Sequence, residues 1–201
     1  MISESKILDH AHQVLRSEAE AILAVDNHLD DSFVKAVELI LECKGRLILS
    51  GIGKSGHIAT KLAATFASTG TPSYFVHAAE AAHGDLGMIT QDDVVIGISY
   101  SGESTELVTI IPTLKREGAK LIAMTGNPSS SLGRYADVVI NCHVEREACP
   151  LNLAPSNSTT VSLALGDALA IALPHRAQFL PKRFRSQSSR WLAWSSSSRA
   201  C

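Results

Sequence analysis

The sequence predicts an α/β protein: a three-layer domain around a five-stranded parallel sheet in flavodoxin-like order, preceded by two N-terminal helices. Three observations predict it. Short apolar runs alternate with amphipathic helical stretches along most of the 201 residues, which implies right-handed crossovers and a sheet covered on both faces. Two of the runs end in turns rich in glycine or serine that open helices, where open α/β sheets bind their ligands. The apolar fraction is 45% and the charged fraction 19%, enough to build one hydrophobic core.

In chain order, Ile7, Ala11, Val14 and Leu15 recur at helical spacing, as do Val34, Val37, Ile40 and Leu41. Asp30 or Asp31 can cap the second helix. The period then shortens. Residues 46–50 form an apolar run stopped by Gly51, as a buried parallel strand would be. A helix from about Ser55 carries Ile58, Leu62 and Phe66 on one face and stops at Gly70-Thr71-Pro72. Residues 73–76 predict a strand, followed by a short helix about Glu80 and a turn at 84–87. Strand 94–98 precedes helix 104–116, and strand 120–124 precedes a helical turn near Ser131. Residues 138–141 form the last strand, and a long helix closes the domain over 159–173. Residues 1–44 therefore belong to the same domain as 45–173, and 174–201 form a tail of different character.

Net charge is −2, but six basic residues and no acidic one lie in that tail. The rest holds 12 Lys and Arg against 20 Asp and Glu, a balance near −8. Such a surface speaks against nucleic acid as a partner, because tracking phosphates needs a basic footprint. Cys43, Cys142, Cys149 and Cys201 show no metal spacing and read as buried or idle thiols in a reducing cytoplasm. Residues 1–6 lack the features of a signal peptide, and the longest apolar stretch, 163–173, is too short for a membrane span. The expected setting is cytoplasmic, with no membrane partner.

Three motifs carry chemistry. Residues 51–57, GIGKSGH, join a strand to a helix and place Lys54 and Ser55 beside Gly53. Glycine lets backbone N–H groups approach an anion, and the helix N-terminus adds favourable partial charge. The glycine spacing fits neither a Walker A loop nor a dinucleotide fingerprint. Residues 99–106, SYSGESTE, cluster Ser99, Ser101, Ser104 and Thr105 at a second strand-to-helix turn, four hydroxyls where an N-cap needs one. The third set is dispersed: His77, Glu80, His83 and Asp85, then Glu145, Arg146 and Glu147. Carboxylates and imidazoles of this kind serve acid–base catalysis beside a sugar phosphate. Their alternatives are hydrogen-bonded structural histidines and a solvated charge run. His77, Glu80 and His83 also match no compact metal spacing.

Together these segments resemble the sugar isomerase (SIS) domain, and more narrowly bacterial D-arabinose 5-phosphate isomerases. The resemblance covers residues 30–173 and rests on GIGKSGHIATKLAATFASTGTPSYFVHAAEAAHGDLGM, ISYSGESTE, REACPLNLAPSNSTT and LALGDALAIAL. It implies an aldose–ketose isomerase that interconverts D-ribulose 5-phosphate and D-arabinose 5-phosphate through an enediol, in the supply of 3-deoxy-D-manno-octulosonate for lipopolysaccharide. No cofactor is implied. By the resemblance, Lys54, Glu106 and Glu147 are the catalytic positions. Ser99, Ser101, Ser104 and Thr105 hold the phosphate, with Ser55 and Gly53 nearby. Gly70, Thr71, His77, His143, Val144 and Glu145 contact the sugar. His83 lines the site, where a divalent metal such as zinc can bind and inhibit. Glu147 is read as the proton carrier and Lys54 as the stabiliser of the oxyanion, while a histidine helps to open the ring. The family implies a homodimer or homotetramer packed through N-terminal helices. The alternative is a non-catalytic sugar-phosphate-binding module, against which no helix-turn-helix segment precedes the body.

The tail departs from the family. After the last helix, relatives continue through a segment containing His-Pro-Gly-Gly and usually two CBS modules, and neither stands here. Residues 188–196 can be encoded so that a shift of one base reads His-Pro-Gly-Gly-Leu-Leu-Gly-Arg-Arg. The expectation is a frameshift near Pro174, in the gene or its sequencing, that leaves a basic tail without a fold and Ser188 where the family has histidine.

Overall fold

The computed structural model describes residues 4–177, with side chains described to residue 173. The expectations for the tail lie outside the described residues.

Two helices, α1 (Glu4–Asp26) and α2 (Asp31–Leu41), precede an alternation of strands and helices. β1 (Leu47–Gly51), α3 (Gly53–Ser68), β2 (Ser73–His77) and α4 (Ala78–Ala82) come first, followed by a 3-10 turn at Asp85–Met88. Next are β3 (Val94–Ile98), α5 (Thr105–Arg116), β4 (Lys120–Thr125), α6 (Ser131–Tyr135), β5 (Val138–Asn141) and α7 (Asn157–Ala177). All strands pair in parallel in the order β2-β1-β3-β4-β5. The chain therefore reverses its winding between β1 and β3, and the crevice outside their carboxyl ends is where such sheets hold ligands.

The local causes match the sequence. Asp30 caps α2, its carboxylate accepting from Ser32 N–H at 2.8 Å. β1 and β3 are buried along their whole length, as runs covered on both faces must be. Leu47, Leu49 and Ile96 face one core layer with α2, α3 and α7, and Ile48, Val95 and Leu121 face the other with α4, α5 and α6. Phe66 of α3 is fully buried in the first layer, worth roughly 1.5–3 kcal/mol of apolar transfer.

Two features differ from expectation. α7 continues to Ala177 instead of stopping at residue 173. Of α1, only Val25 is buried. Ile7, Leu8, Leu15 and Leu23 are each more than half exposed in a single chain. Among the described residues, no helix is long and apolar enough to cross a membrane.

Candidate functional site

The turn after β1 is shaped by glycine. Gly53 has φ +56°, and a Cβ there would meet nothing within 4 Å. Ile52, at the N-cap of α3, makes no side-chain capping bond. The first N–H groups of α3 are therefore uncapped by its N-cap residue beside Lys54 and Ser55, a favourable place for an anion.

The turn after β3 is built from its own hydroxyls. Ser99 Oγ accepts from Gly102 N–H at 3.1 Å and lies 2.8 Å from Ser104 Oγ. Ser101 Oγ accepts from Glu103 N–H at 3.2 Å. Gly102 has φ +69°, and a Cβ would overlap the Ser130 side chain. Glu103 in turn accepts from Ser131 N–H at 2.7 Å, which holds its carboxyl below the ordinary range through that backbone bond first. Ser99 is buried, so part of the hydroxyl surplus seen in the sequence shapes the turn itself.

The segment from β5 to α7 carries Glu147. Its Oε2 accepts from Ser156 N–H at 2.7 Å, Ser156 Oγ–H at 3.2 Å and Ser158 N–H at 3.3 Å. Its own N–H donates to Asn152 Oδ1 at 2.8 Å. Partial burial works to raise the carboxyl, but the bonds from Ser158 and Ser156 outweigh it and hold the group below its ordinary pKa. Glu147 is thus an ionised cap on the N-terminus of α7.

These turns enclose a cavity of about 280 Å³ in which Lys54, Ser55 and Glu147 meet. Lys54 pairs with no carboxylate among the described residues. Ile58, Ile98, Tyr100 and Pro155 form apolar walls, and Ser158, Thr159 and Ser162 add hydroxyls. An unpaired ammonium facing a fixed carboxylate across a partly apolar cavity can move a proton at one atom while stabilising negative charge at its neighbour.

The other expected residues lie apart from this lining. Glu106 stands exposed in the first turn of α5, and Ser101 and Thr105 are exposed beside it. Gly70 and Thr71 follow the far end of α3, a helix of 16 residues and hence about 24 Å long. His77 ends β2 opposite Gly51. Its Nδ1 accepts from Ala79 N–H at 3.3 Å, which leaves the proton on Nε2. His83 is exposed at the C-cap of α4. Among the described residues, no three His, Cys, Asp or Glu side chains are grouped to hold a metal. His143 and Glu145 are exposed and Val144 is buried, in the segment leading to Glu147.

Sequence reasoning missed Tyr100, Ser156, Ser158, Thr159 and Ser162. The run of hydroxyls at 156–160, opening a helix, is the same pattern that singled out residues 99–105. The thiols also differ in kind. Burial pushes Cys142 up to about 12, whereas backbone N–H groups, Ala154 first, hold the half-buried Cys149 thiol below its ordinary value.

The doubly wound α/β domain thus sets a lysine and a glutamate in one cavity at its switch point. Residues 40–172 match the SIS domain, and the chain belongs to that family. It is 54% identical to arabinose 5-phosphate isomerase KdsD of Pseudomonas aeruginosa over 183 residues, 90% of this chain and 56% of that protein. It is likewise 54% identical to arabinose 5-phosphate isomerase KdsD of Escherichia coli K12 over 172 residues, 86% of this chain and 52% of that one. The structure of E. coli CFT073 c3406 in complex with arabinose 5-phosphate superposes with a TM-score of 0.85 at 43% identity, covering 91% of this chain and 97% of the other. The chain spans about half the length of the curated relatives it matches.

Proposed function

We propose that this chain is the isomerase domain of an arabinose 5-phosphate isomerase, a cytoplasmic enzyme interconverting D-ribulose 5-phosphate and D-arabinose 5-phosphate. The observation that carries this reading is the meeting of Lys54 and Glu147 in one cavity beside two phosphate-type turns. The 54% identity to KdsD supports the substrate.

In this reading the phosphate rests against the turns at Gly53–Ser55 and Ser99–Thr105. The Glu147 carboxylate removes the proton from C2 of the open-chain aldose, and the C2–H electron pair forms the C1–C2 double bond of the enediol. Lys54 stabilises the negative charge that develops on O1. The O2 proton passes to O1, the O2 electron pair forms the C2=O bond as the C1–C2 double bond takes the carried proton at C1, and the ketose results with no net redox change and no cofactor. Glu106, in the first turn of α5, is the further catalytic carboxylate that the family resemblance implies. Gly70 and Thr71 lie a helix length from the cavity of their own chain, so any sugar contact from them must reach a second copy. His77, His143, Val144 and Glu145 border the sugar, and zinc binding at His83 inhibits. The exposed stripe of α1 suits a homodimer or homotetramer, and light scattering showing a stable monomer at micromolar concentration would remove that part.

The test is conversion of ribulose 5-phosphate, followed by exchange of the C1 and C2 protons with deuterated solvent. Turnover of fructose 6-phosphate or sedoheptulose 7-phosphate alone would overturn the substrate, and a ligand-dependent thermal shift without exchange would favour a binding module. A chain carrying the family's His-Pro-Gly-Gly segment in place of 188–191 should turn over at least roughly a hundredfold faster, because losing a proton-transfer group costs about 10²–10⁴-fold. Equal rates would make that histidine dispensable.

A further inference from the structure

We propose that Tyr100 is a positioning residue, a strut that fixes the distance between the phosphate turn and the Glu147 segment and so sets how many carbons separate the phosphate from the reacting carbonyl. This rests on the reading of Glu147 as the proton carrier.

The geometry is specific. Tyr100 follows β3, while Glu147 follows β5, with β4 between them. Two strand spacings, about 9–10 Å, separate those elements. The Tyr100 side chain crosses this gap. Its hydroxyl donates to Val144 C=O at 3.0 Å and accepts from Val144 N–H at 3.3 Å. Val144 is buried and lies three residues before Glu147, so cutting the tether takes the partner from two part-buried polar groups. On its way the ring passes over Gly126, directly after β4. A Cβ on Gly126 would overlap the ring, with two more ring carbons at 2.8 and 2.9 Å. Gly126 has no positive φ; the space taken by the ring is what keeps the position free of a side chain. The root of the strut is held as well, because the Tyr100 carbonyl accepts from Gly126 N–H at 2.9 Å and Thr125 Oγ1–H at 3.2 Å. The same ring lines the cavity.

The phosphate is gripped by one loop and the proton is moved by another, so the separation of the loops is a ruler for the substrate. A shift of about 1 Å in such a ruler can cost on the order of 10²-fold in rate. Tyr100→Phe keeps the wall but cuts the tether: kcat falls about tenfold or more on that scale with KM changed less than about threefold. Tyr100→Ala removes both and lowers the preference for five-carbon over six-carbon ketose phosphates by at least about tenfold, on the same scale.

The experiment uses the full 201-residue chain. Solvent-deuterium exchange into ribulose 5-phosphate and fructose 6-phosphate is measured for the wild type and both variants. Amide exchange at Val144 is followed by NMR, and melting temperatures are taken for Tyr100→Ala, Gly126→Ala and the double variant. The strut predicts faster Val144 exchange in Tyr100→Phe, and a Gly126→Ala cost that vanishes once Tyr100 is alanine. Additive melting shifts or unchanged Val144 protection overturn the strut, with or without activity. An active wild type whose variants keep the carbon-number preference, or lose kcat and KM in parallel, overturns the ruler. A wild type inert toward both sugars while the strut results hold overturns the proposed activity instead.

Discussion

The segments that follow β3 and β2 both carry polar residues suited to a site and are built in opposite ways. After β3, Ser99, Ser101 and Ser104 bond within the turn, and Gly102 is wedged against Ser130. After β2, Glu80, His83 and Asp85 are all exposed, Met88 is 53% exposed, and Gly84 and Gly87 have open space about them. β3 lies inside the sheet and β2 at its edge. An inner strand delivers its loop into a crevice flanked by other loops, which can complete a site. An edge strand delivers polar residues to a surface, whatever their catalytic aptitude.

The largest test of this contrast is chemical. Glu147→Gln should lower exchange turnover by about 10²–10⁴-fold, whereas His83→Ala in the same chain should cost less than about tenfold, well short of that range. Comparable losses would dissolve the distinction between the cavity that the turn after β3 borders, where Glu147 lies, and the exposed segment after β2.

Next comes stability. Gly102→Ala forces a side chain into Ser130 at a positive φ, and should cost about 2–4 kcal/mol by urea unfolding. Gly87→Ala, with open space and no positive φ, should stay within about 0.5 kcal/mol. A smaller effect of the same kind is expected where α3 crosses α7. A Cβ on Gly166 would overlap Leu62, with a second Leu62 methyl carbon at 2.6 Å, so Gly166→Ala should cost about 1–3 kcal/mol. The neighbouring Lys61–Asp167 pair is largely exposed, and breaking it should cost at most about 1 kcal/mol.

The smallest effect concerns pH. Glu147 is held below its ordinary pKa, so the stability it contributes is complete above the unfolded carboxylate value, about 4.3, and is lost as pH falls through the folded value. Asp137 acts in the same direction: its partial burial is outweighed by the bonds from Lys115 and Leu121. Melting temperature should therefore be flat above about pH 5 and fall below it. Ser156→Ala should weaken that fall and move the acid limb of the rate profile upward. An unshifted limb would mean that Ser156 does not govern Glu147.

Much of this architecture was legible because its causes are local. The runs at 94–98 and 138–141 became β3 and β5 as read, since strand burial and turn chemistry act over a few residues. The cap of α2 could be narrowed to Asp30 or Asp31 because an N-cap bonds within its own first turn, and Asp30 is the one that does. Gly53 and Lys54 were legible for the same reason, as a strand, a glycine and a helix start are contiguous. The end of α7 was less so, because Pro174 reads as a break while the helix continues to Ala177.

By itself, then, the sequence determined the alternation of elements, the two strand-to-helix turns after β1 and β3 and the kind of chemistry their residues can perform. Tertiary structure alone decided which of those residues meet. Ser156 and Ser158 hold Glu147 across nine and eleven residues, and Tyr100 reaches Val144 across 44. Gly70 stays a helix length away from Lys54, although both belong to one unbroken motif in the chain. No periodicity encodes these relations, because they follow from the order in which strands pair, and that order is set by the packing of the whole sheet.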